Sequence, residues 1–547
     1  MIYKNIFAGI TVGIIALPLS MALAIAVGVP PQNGLYTAII AGIVASIFGS
    51  SKVNISGPTA AFVVILIPIV QEFGLAGLLI CGFMSGFILI FIGVFKFGKL
   101  IELIPYPVTV GFTTGIAVVI AIFQIKDFFG LHIENFSGHF HEKVYTLFSS
   151  FNTFSLSETM IGFLTLFILI SWTKTKSKIP PALIALSICT ILVYFLNSTT
   201  DFNIATIKST FSYDINGLKG EGIPPIAFQF ALPWENVNFD LFSLDTVYKL
   251  LPHSVAIAIL GALESLLCAV ISDGMTKNRT DPNKELIGQG LANIAVPFFG
   301  GIPATAAIAR SAANIRSGAT NKLASIVHAI FVLLAILLFA PILSYLPMAS
   351  LSALLLIVAW NMSEIRHFIN ILKIAPRHDI YVLLTCFILT VFLDMQIAIG
   401  VGMGLASILF IKRTIDLYSI DLLDDTYNSD NRHIPENVSI YSINGPMFFG
   451  AAQSALRTIV STNNDIDTLI IDMKNVPMMD MTGLVAFKSI IENLLDNDKK
   501  LIVCGLNDRI TKKFKKAKIE FDNKNIYNFV DIDDSLEYLS TKDKKVN

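Results

Sequence analysis

Long apolar segments, separated by short polar connections, fill the first 413 residues of this 547-residue chain. Only about one residue in ten is charged there, whereas nearly half of all charged residues follow Arg413. Over the whole chain 54% of residues are apolar and 14% are charged, against about 25% charged in soluble proteins. We therefore predict a membrane unit followed by a soluble tail. A single soluble domain is excluded, because such cores stop growing near ~250–300 residues.

The apolar segments predict the number of membrane spans, because a spanning helix needs about 20 apolar residues. We predict fourteen spans, near residues 7–27, 34–50, 57–70, 75–95, 104–125, 158–172, 180–197, 252–272, 286–299, 303–317, 322–340, 347–361, 378–395 and 398–413. Lys and Arg follow the even-numbered spans, and the short opposite connections have neither, so both termini are expected in the cytoplasm. Two long outer segments, Lys126–Ser157 and Asn197–Leu251, are predicted to be extramembrane loops, and no chemistry is assigned to them.

The first half of the membrane unit recurs in the second at an offset of about 245 residues. Ala16–Pro18 corresponds to Ala262–Glu264, and Gly57–Ala61 corresponds to Pro303–Ala307. Seven spans per half give the halves opposite topology. Such an inverted repeat is typical of secondary transporters.

The two Pro-containing segments predict a pair of half-helices. Each follows a poorly helical stretch, and Pro is favoured in the first turn of a helix, so we expect helices to begin at Pro58 and Pro303 near the bilayer midplane. Facing helix N-termini offer free N–H groups and positive dipole ends, which suit an anion. The alternative is a pair of Pro-kinked helices packed through small residues.

Two charged residues lie near these segments. Glu264 is flanked by apolar residues in mid-span, where a carboxylate costs roughly 2.5–3.5 kcal/mol, so we expect it to exchange a proton during function. A carboxyl group satisfied by local hydrogen bonds is the alternative. Arg310 lies about 10 Å past Pro303 along a helix and could add positive potential behind the anion. The alternative interpretation is that the side chain of Arg310 extends to the inner membrane surface and keeps its charge in water.

The soluble tail is predicted to be a small α/β domain after a polar linker. Strands are predicted at Val438–Asn444, Thr468–Val476 and Leu501–Leu506, and helices near Ala451–Ile459, near Gly483–Leu495 and after Asp508. Thr482, at a strand-to-helix turn, is predicted to cap the second of these helices, with phosphorylation as the alternative role. The basic run 512–518 is interpreted as a solvated helix face rather than a lipid contact.

Several functional classes lack support in the sequence. No Walker or Gly-rich nucleotide motif is present, so ATP-driven transport is not expected. The net charge of −1 excludes a broadly basic nucleic-acid binder. The five cysteines form no CxxC pair and their number is odd, so neither a disulfide framework nor a zinc site is predicted. We expect no enzyme activity, no cofactor and no bound metal.

Several stretches of the chain match a known family. They are Ala16–Ala22, Gly57–Thr59, Glu264–Leu267, Lys284–Gly290 and Gly301–Arg316, together with the Asp480–Gly483 turn of the tail. On these stretches the chain resembles the SulP (SLC26-type) anion transporters along essentially its whole length, and the tail resembles a STAS domain. Gly301–Arg316 and Ala359–Glu364 are most similar to the bacterial C4-dicarboxylate branch.

The resemblance implies an all-α membrane unit with a 7+7 inverted repeat, in which a core domain (spans 1–4 and 8–11) moves against a gate domain. It implies domain bounds of 1–413 for transport, 414–437 for the linker and 438–547 for the cytoplasmic STAS domain. It implies a homodimer in the bacterial inner membrane, in contact with lipids, and a possible cytoplasmic protein partner for the tail. The substrate would be sulfate, bicarbonate or a C4-dicarboxylate, moved by secondary active transport that we expect to be proton-coupled.

On the same pattern the anion would be held by Thr59 and by the backbone around Ala60, Thr305 and Ala306. Ser20 and Arg310 would complete the substrate site, and Glu264 would be the proton-coupling residue. Sodium-coupled bicarbonate members have Asp with a hydroxyl residue four positions later, whereas this chain has Glu264 and Cys268, which weakens a sodium site.

Several alternatives remain open from the sequence. Sodium-coupled bicarbonate transport is one, and an uncoupled anion exchanger or channel is another. A nucleobase transporter of the same fold would lack the tail, and a membrane sensor would bind the anion without flux.

Overall fold

The computed structural model describes most of the chain. The described residues are 2–101, 104–133, 136, 138, 140–175, 177, 179–200, 202–215, 218–225, 228–234, 244–393, 395–416, 419–423, 434, 435, 437–448, 466–521 and 525–543. Chain contacts divide the molecule into two compact units, Met1–Ala406 and Ser407–Asn547. The predicted helix near Ala451–Ile459 lies outside the described residues.

The first unit is built almost entirely of helices. The longer ones are α1 (Ile2–Val27), α2 (Pro31–Phe48), α3 (Ala60–Val94), α4 (Tyr106–Phe123), α5 (Phe140–Ser149), α6 (Leu156–Thr173), α7 (Pro181–Thr199), α8 (Leu244–Thr276), α9 (Pro282–Ala295), α10 (Ile308–Arg316), α11 (Leu323–Leu343), α12 (Met348–Met362), α13 (Ile365–Ile374) and α14 (Arg377–Phe392). Helix α15 (Met395–Asp416) continues from this unit into the second. Two short strand pairs complete the unit: β1 (Ser56–Gly57) pairs with β4 (Thr305–Ala306), and β2 (Ser212–Ile215) with β3 (Leu218–Glu221).

Ten helical segments within the described residues are long and apolar enough to cross a membrane. The helical run of α3 is about 50 Å long at 1.5 Å per residue, which exceeds the ~30 Å hydrocarbon core. It is interrupted at Gly74, whose φ of +67° lies in the left-handed region that glycine adopts most easily. This break falls where the sequence predicts a connection between two spans. The count of fourteen and the inverted repeat stay predictions.

Close helix packing around α3 depends on small residues. A Cβ on Gly86 of α3 would lie 2.7 Å from the carbonyl oxygen of Gly290 in α9, and a Cβ on Gly290 would lie equally close to the oxygen of Gly86. The two backbones can therefore approach one another only because both positions are glycine.

The two half-helices begin later than the prolines predict. Helix α3 starts at Ala60 and α10 at Ile308, with extended backbone at their N-caps Thr59 and Ala307. The prediction that Pro58 and Pro303 occupy the first helical turns is therefore wrong. Extended residues near both prolines, Ser56–Gly57 and Thr305–Ala306, pair as the antiparallel strands β1 and β4, because extended chains at membrane depth must satisfy each other's N–H and C=O groups.

The second unit contains a five-stranded sheet. Its strands are β5 (Ser419–Leu422), β6 (Val438–Asn444), β7 (Thr468–Asn475), β8 (Lys500–Cys504) and β9 (Ile526–Phe529), in that order across the sheet. Pairing is antiparallel between β5 and β6 and parallel elsewhere. The helices are α16 (Met481–Asp496), α17 (Asp508–Lys516) and α18 (Ile532–Asp543). Strand β5 lies inside the predicted linker, which corrects that prediction for residues 419–422.

The helix cap in the tail also differs from the prediction. Asp480 is the N-cap of α16, and its carboxylate accepts a hydrogen bond of 2.7 Å from the backbone N–H of Gly483. Thr482 is already helical and exposed, so the prediction that Thr482 caps the helix is wrong. A carboxylate is favoured at this place because it also faces the positive end of the helix dipole.

Candidate functional site

A cavity of about 290 Å³ lies where α3 and α10 begin. Its wall includes the first residues of both helices, together with side chains of α1, α4, α8 and α12. The lining residues are Leu19, Leu23, Pro58, Thr59, Ala60, Ala61, Thr113, Glu264, Ala307, Ile308, Ala309, Arg310, Val358, Asn361, Met362 and Glu364. Four of the residues predicted from the sequence therefore share one cavity: Thr59, Ala60, Glu264 and Arg310.

Side chains from neighbouring helices hold the broken backbone that shapes this cavity. In α9, the amide of Asn293 donates to the carbonyl oxygen of Ala304 (2.8 Å) and accepts from its N–H (2.9 Å). Thr37 of α2 similarly accepts from the N–H of Ile302 at 2.7 Å. These bonds replace the helical partners that the interrupted chain has lost, which is a requirement at membrane depth.

Arg310 supplies a buried positive charge. Its side chain is 2% exposed, and one guanidinium nitrogen, Nη2, donates to the carbonyl oxygen of Pro58. The other two nitrogens, Nε and Nη1, are buried without a hydrogen-bond partner. A buried charged donor without a partner is costly, so this side chain is prepared to bind an acceptor.

Gly57 makes room for that guanidinium. A Cβ at Gly57 would lie 2.8 Å from Nη1 of Arg310 and 3.4 Å from Cα of Ala38. The first distance is shorter than contacts that real Cβ atoms make. The glycine in the repeated sequence segment is therefore needed for the position of Arg310, a role that sequence reasoning did not assign.

Glu264 faces the same cavity from α8. Its Oε2 atom accepts a 2.9 Å hydrogen bond from the hydroxyl of Thr59. Thr59 is the N-cap of α3, yet its side chain makes no capping bond, because the hydroxyl is directed to the carboxylate. The structure thus links the predicted coupling residue to a predicted substrate residue.

The remaining predicted substrate residues do not line this cavity. The side chain of Thr305 is fully buried, donates to the carbonyl oxygen of Gly261 (3.0 Å), and lies 2.7 Å from the hydroxyl of Ser265. Ala306 is paired with Ser56 across the two short strands. Ser20 is fully buried in α1, and its hydroxyl has no hydrogen-bond partner. The proposed contacts of these three residues with the anion stay predictions.

Other lining residues were not predicted as site residues. Thr113 belongs to α4, Asn361 lies in the last turn of α12, and Glu364 lies just after that helix. Glu364 is exposed and has φ of +42°, a value uncommon for residues other than glycine. The sequence marked Ala359–Glu364 only as a family-like stretch, and no periodicity or repeat signal pointed to these side chains.

The five cysteines are free and buried, as small apolar packing residues are. Among the residues that the structure describes, no three His, Cys, Asp or Glu side chains come together as a metal site would require.

The fold and the site together define a class of protein. Many membrane-length helices, and two helices that begin beside a cavity with a buried cation, form the architecture of a multi-pass membrane transporter.

Comparisons with known proteins identify the family. Residues 2–386 match the model described as "Sulfate permease family", and residues 431–531 match the model described as "STAS domain". The chain belongs to the sulfate permease (SulP) family of anion transporters and carries a STAS domain, so it is not an enzyme. The expected closeness to a C4-dicarboxylate branch is not reflected in the relatives found.

Two named relatives and one solved structure show the extent of the similarity. The "Putative sulfate transporter YvdB" of Bacillus subtilis is 39% identical over 509 residues, covering 92% of each chain. The "Bicarbonate transporter BicA" of Picosynechococcus is 28% identical over 548 residues, covering 94% of this chain and 90% of the relative. The inward-facing structure of murine Solute Carrier 26 family member A9 has a TM-score of 0.85 at 16% identity, over 98% of this chain and 91% of that one, which shows a shared fold.

Proposed function

We propose that the protein is a secondary active transporter of small anions, in which the anion binds in the cavity between the starts of α3 and α10. The buried guanidinium of Arg310, with two unpartnered nitrogens, is the observation that carries this proposal. An anion would accept hydrogen bonds from it and would face the positive ends of both helices. The anion replaces the water that these donors lose on burial.

The inverted repeat predicted from the sequence supports a transport cycle by alternating access. On the family pattern, α3, α8 and α10 belong to the core domain, while α4 and α12 belong to the gate domain. The cavity is lined from both sets, so a movement of one set against the other would open or close it. The fourteen-span topology, the cytoplasmic termini, the bacterial inner membrane and the homodimer are parts of the same proposal.

Sulfate and bicarbonate are the first candidate substrates, because relatives are named for them. C4-dicarboxylates remain a third class, supported by the likeness of Gly301–Arg316 and Ala359–Glu364. Uptake of radiolabelled sulfate, bicarbonate and succinate into proteoliposomes would separate these classes. Uptake of none of them, by protein that is folded and dimeric, would contradict the proposal.

Proton coupling is proposed for Glu264. A carboxylate beside a bound anion repels it, and protonation of the carboxylate removes that repulsion, so proton and anion are expected to bind together. The hydrogen bond from Thr59 to Oε2 connects the carboxyl group to the start of α3. Uptake should therefore increase as the external pH falls.

The variant Glu264→Gln tests this coupling. Because it resembles the protonated carboxyl group, it should keep anion exchange but lose accumulation driven by a pH gradient. The measurement is concentrative uptake into liposomes with an imposed proton or sodium gradient, with Glu221→Gln, in the β2–β3 hairpin, as the control. Proton coupling is wrong if Glu264→Gln accumulates anion like the wild type, or if only a sodium gradient drives uptake.

The tail is proposed to assist assembly or regulation in the cytoplasm, where it would bind a protein partner, with exposed Thr482 as a candidate phosphorylation site. A chain truncated after Arg413 should still insert in the membrane. Wild-type transport and regulation in that truncated chain would remove the support for a regulatory tail.

A further inference from the structure

A second cavity lies in the first unit, outside the site described above. Its volume is about 440 Å³, and its wall includes Gln71, Glu72, Phe123, Lys143, His253 and Thr390. Lys143 belongs to α5, in the long segment Lys126–Ser157 to which the sequence assigned no chemistry. The side chain that gives this cavity its positive charge therefore comes from a connection and not from a predicted span.

The two cavities lie along the same helices. Helix α3 contributes Ala60 to the first cavity and Gln71 to the second, eleven residues further on. Helix α8 contributes Glu264 to the first and His253 to the second, again eleven residues apart. At 1.5 Å per residue each interval is about 16 Å, so the second cavity lies roughly half a bilayer from the first.

The predicted topology places this second cavity, hereafter the outer cavity, on the extracellular side. Helix α3 leads from the cytoplasmic Lys52 connection towards Gln71, and α4 leads from Lys96 and Lys99 towards Phe123. Helix α8 runs in the opposite direction, from His253 towards the cytoplasmic Lys277 connection. All three helices reach the outer cavity at their predicted external ends.

The ammonium group of Lys143 is buried at this cavity. The residue is 4% exposed. Its Nζ lies 4.9 Å from the ring centroid of Phe123 and 5.9 Å from that of Phe136, and it donates a 3.3 Å hydrogen bond to Oε1 of Gln71. Gln71 in turn donates to the carbonyl oxygen of Phe136 at 3.1 Å, so the segment around α5 is held against α3 and α4.

None of the ion pairs found among the described residues involves Lys143. Burial lowers the pKa of Lys143 to about 8. Glu72 lines the same cavity, and the positive charge with which it interacts is that of Lys249. His253 contacts the ring of Phe73 at 6.0 Å, and Lys126 lies 5.9 Å from the ring of Phe136. A buried ammonium group without a counter-ion has a strong electrostatic preference for an anion.

We propose that the outer cavity is an anion-binding subsite at the extracellular end of the transport path, with the ammonium group of Lys143 as its principal ligand. The ligand class is the small oxyanion that the protein transports, so this inference rests on the proposed function. The subsite gathers anions about 16 Å from the cavity of Arg310 and thereby sets the apparent affinity measured from outside.

The first experiment measures binding without transport. Full-length protein in sealed proteoliposomes is treated at pH 8 with a membrane-impermeant acetylating reagent, and modification of Lys143 is quantified by mass spectrometry. Sodium sulfate and sodium bicarbonate are compared with sodium gluconate at equal ionic strength. We expect sulfate or bicarbonate to reduce modification of Lys143 at least fivefold. Equal modification in all three salts, or no modification of Lys143 in any, would overturn the proposal.

Lys208 is the matched control residue. Its Nζ also lies over an aromatic ring, 5.2 Å from that of Tyr345, and donates to the Tyr345 hydroxyl at 3.4 Å, but it does not line the outer cavity. Its modification should not respond to the anion. An equal response at Lys208 would show a general salt effect and would overturn the assignment to Lys143.

The second experiment measures transport from the outside. Lys143→Gln should raise the external KM about tenfold with little change in maximal rate, Lys143→Arg should stay near the wild type, and Lys208→Gln should not change it. In the wild type the external KM should rise above about pH 8, as Lys143 loses its proton, and this rise should be absent in Lys143→Gln. An unchanged KM in Lys143→Gln would overturn the proposal.

The two experiments separate this inference from the proposed function. Protection of Lys143 by an anion in a protein that takes up none would retain the outer site and reject transport. Uptake of anion with no protection of Lys143 would retain transport and reject the outer site. In the Thr59→Val variant, which alters only the first cavity, protection of Lys143 should persist.

Discussion

The starts of α3 and α10 in the membrane unit differ from the helix starts in the tail. In the tail, Asp480 caps α16, and Asn507 caps α17 through bonds of 3.0 Å from the N–H groups of Arg509 and Ile510. In the membrane unit, neither Thr59 nor Ala307 makes a side-chain capping bond to its helix. The tail helices satisfy their own N–H groups, whereas α3 and α10 leave theirs facing a cavity.

This difference teaches how a site is distinguished from a stable helix end. Free N–H groups at a buried helix start are costly unless a partner satisfies them. The tail contains that partner within its own sequence. At α3 and α10 no such side chain is present, and the unpartnered nitrogens of Arg310 in the same cavity are the reason that we propose an anion as the partner.

The comparison predicts that a built-in cap at α10 would inactivate the protein. Ala307→Asp places a carboxylate at an N-cap position that lines the cavity. This carboxylate would accept hydrogen bonds from the first N–H groups of α10 and would attract Arg310. We expect uptake to be lost while the protein stays folded in detergent, measured by proteoliposome uptake and size-exclusion chromatography. Ala307→Gly, which introduces no acceptor, is the control. Wild-type uptake by Ala307→Asp would contradict the role of this helix start.

Arg310→Gln tests the second source of positive charge at the same helix. A hydrogen bond to a charged group contributes about 1.5–3 kcal/mol, so anion affinity should fall roughly 10- to 150-fold. Equilibrium binding of radiolabelled anion to the purified protein measures this loss. Arg316→Gln, at the last turn of α10 and outside the cavity, should bind like the wild type. Equal affinities of Arg310→Gln and wild type would place the anion elsewhere.

Gly57→Ala tests whether the guanidinium must keep its position. The added Cβ would lie 2.8 Å from Nη1 of Arg310, so the guanidinium must move away, and we expect about a tenfold loss of affinity. Gly274→Ala is a suitable control, because a Cβ there meets nothing within 4 Å. Unchanged binding by Gly57→Ala would show that displacement of Arg310 does not matter.

The features that could be predicted from the sequence either repeat along the chain or differ in composition from the residues around them. The membrane unit, the tail, the correspondence of Gly57–Ala61 with Pro303–Ala307, and the places of Glu264 and Arg310 near these segments all arose from such signals. An isolated charge in an apolar segment is conspicuous because it is expensive there. The Pro-based helix starts were wrong, because pairing between distant extended strands overrides the local preference of proline.

Other parts of the site depended on contacts that no local pattern records. Lys143 is one of five charged residues in the segment Lys126–Ser157, and only the folded structure buries it against Phe123. Asn361 and Glu364 likewise reach the cavity because a helix ends there. The turn before α16 contains more than one residue that can cap a helix, and the sequence favours Thr482. Only the folded geometry shows that the carboxylate of Asp480 reaches the N–H of Gly483.

The smallest expected effect lies at that cap, and it tests the other side of the comparison. Asp480→Ala removes the bond to the N–H of Gly483, and loss of an N-cap costs about 0.5–2 kcal/mol. Amide hydrogen exchange in the first turn of α16, measured by mass spectrometry on the full-length protein, should become roughly 2- to 30-fold faster if exchange follows local opening. Thr482→Ala should not change it, because Thr482 is exposed and does not cap. Anion uptake should be the same in both variants when the membrane unit is intact. Faster exchange in Thr482→Ala than in Asp480→Ala would show that Thr482 is the cap. It would also remove the contrast between α16, which Asp480 caps, and α3 and α10, for which we propose that the anion is the cap.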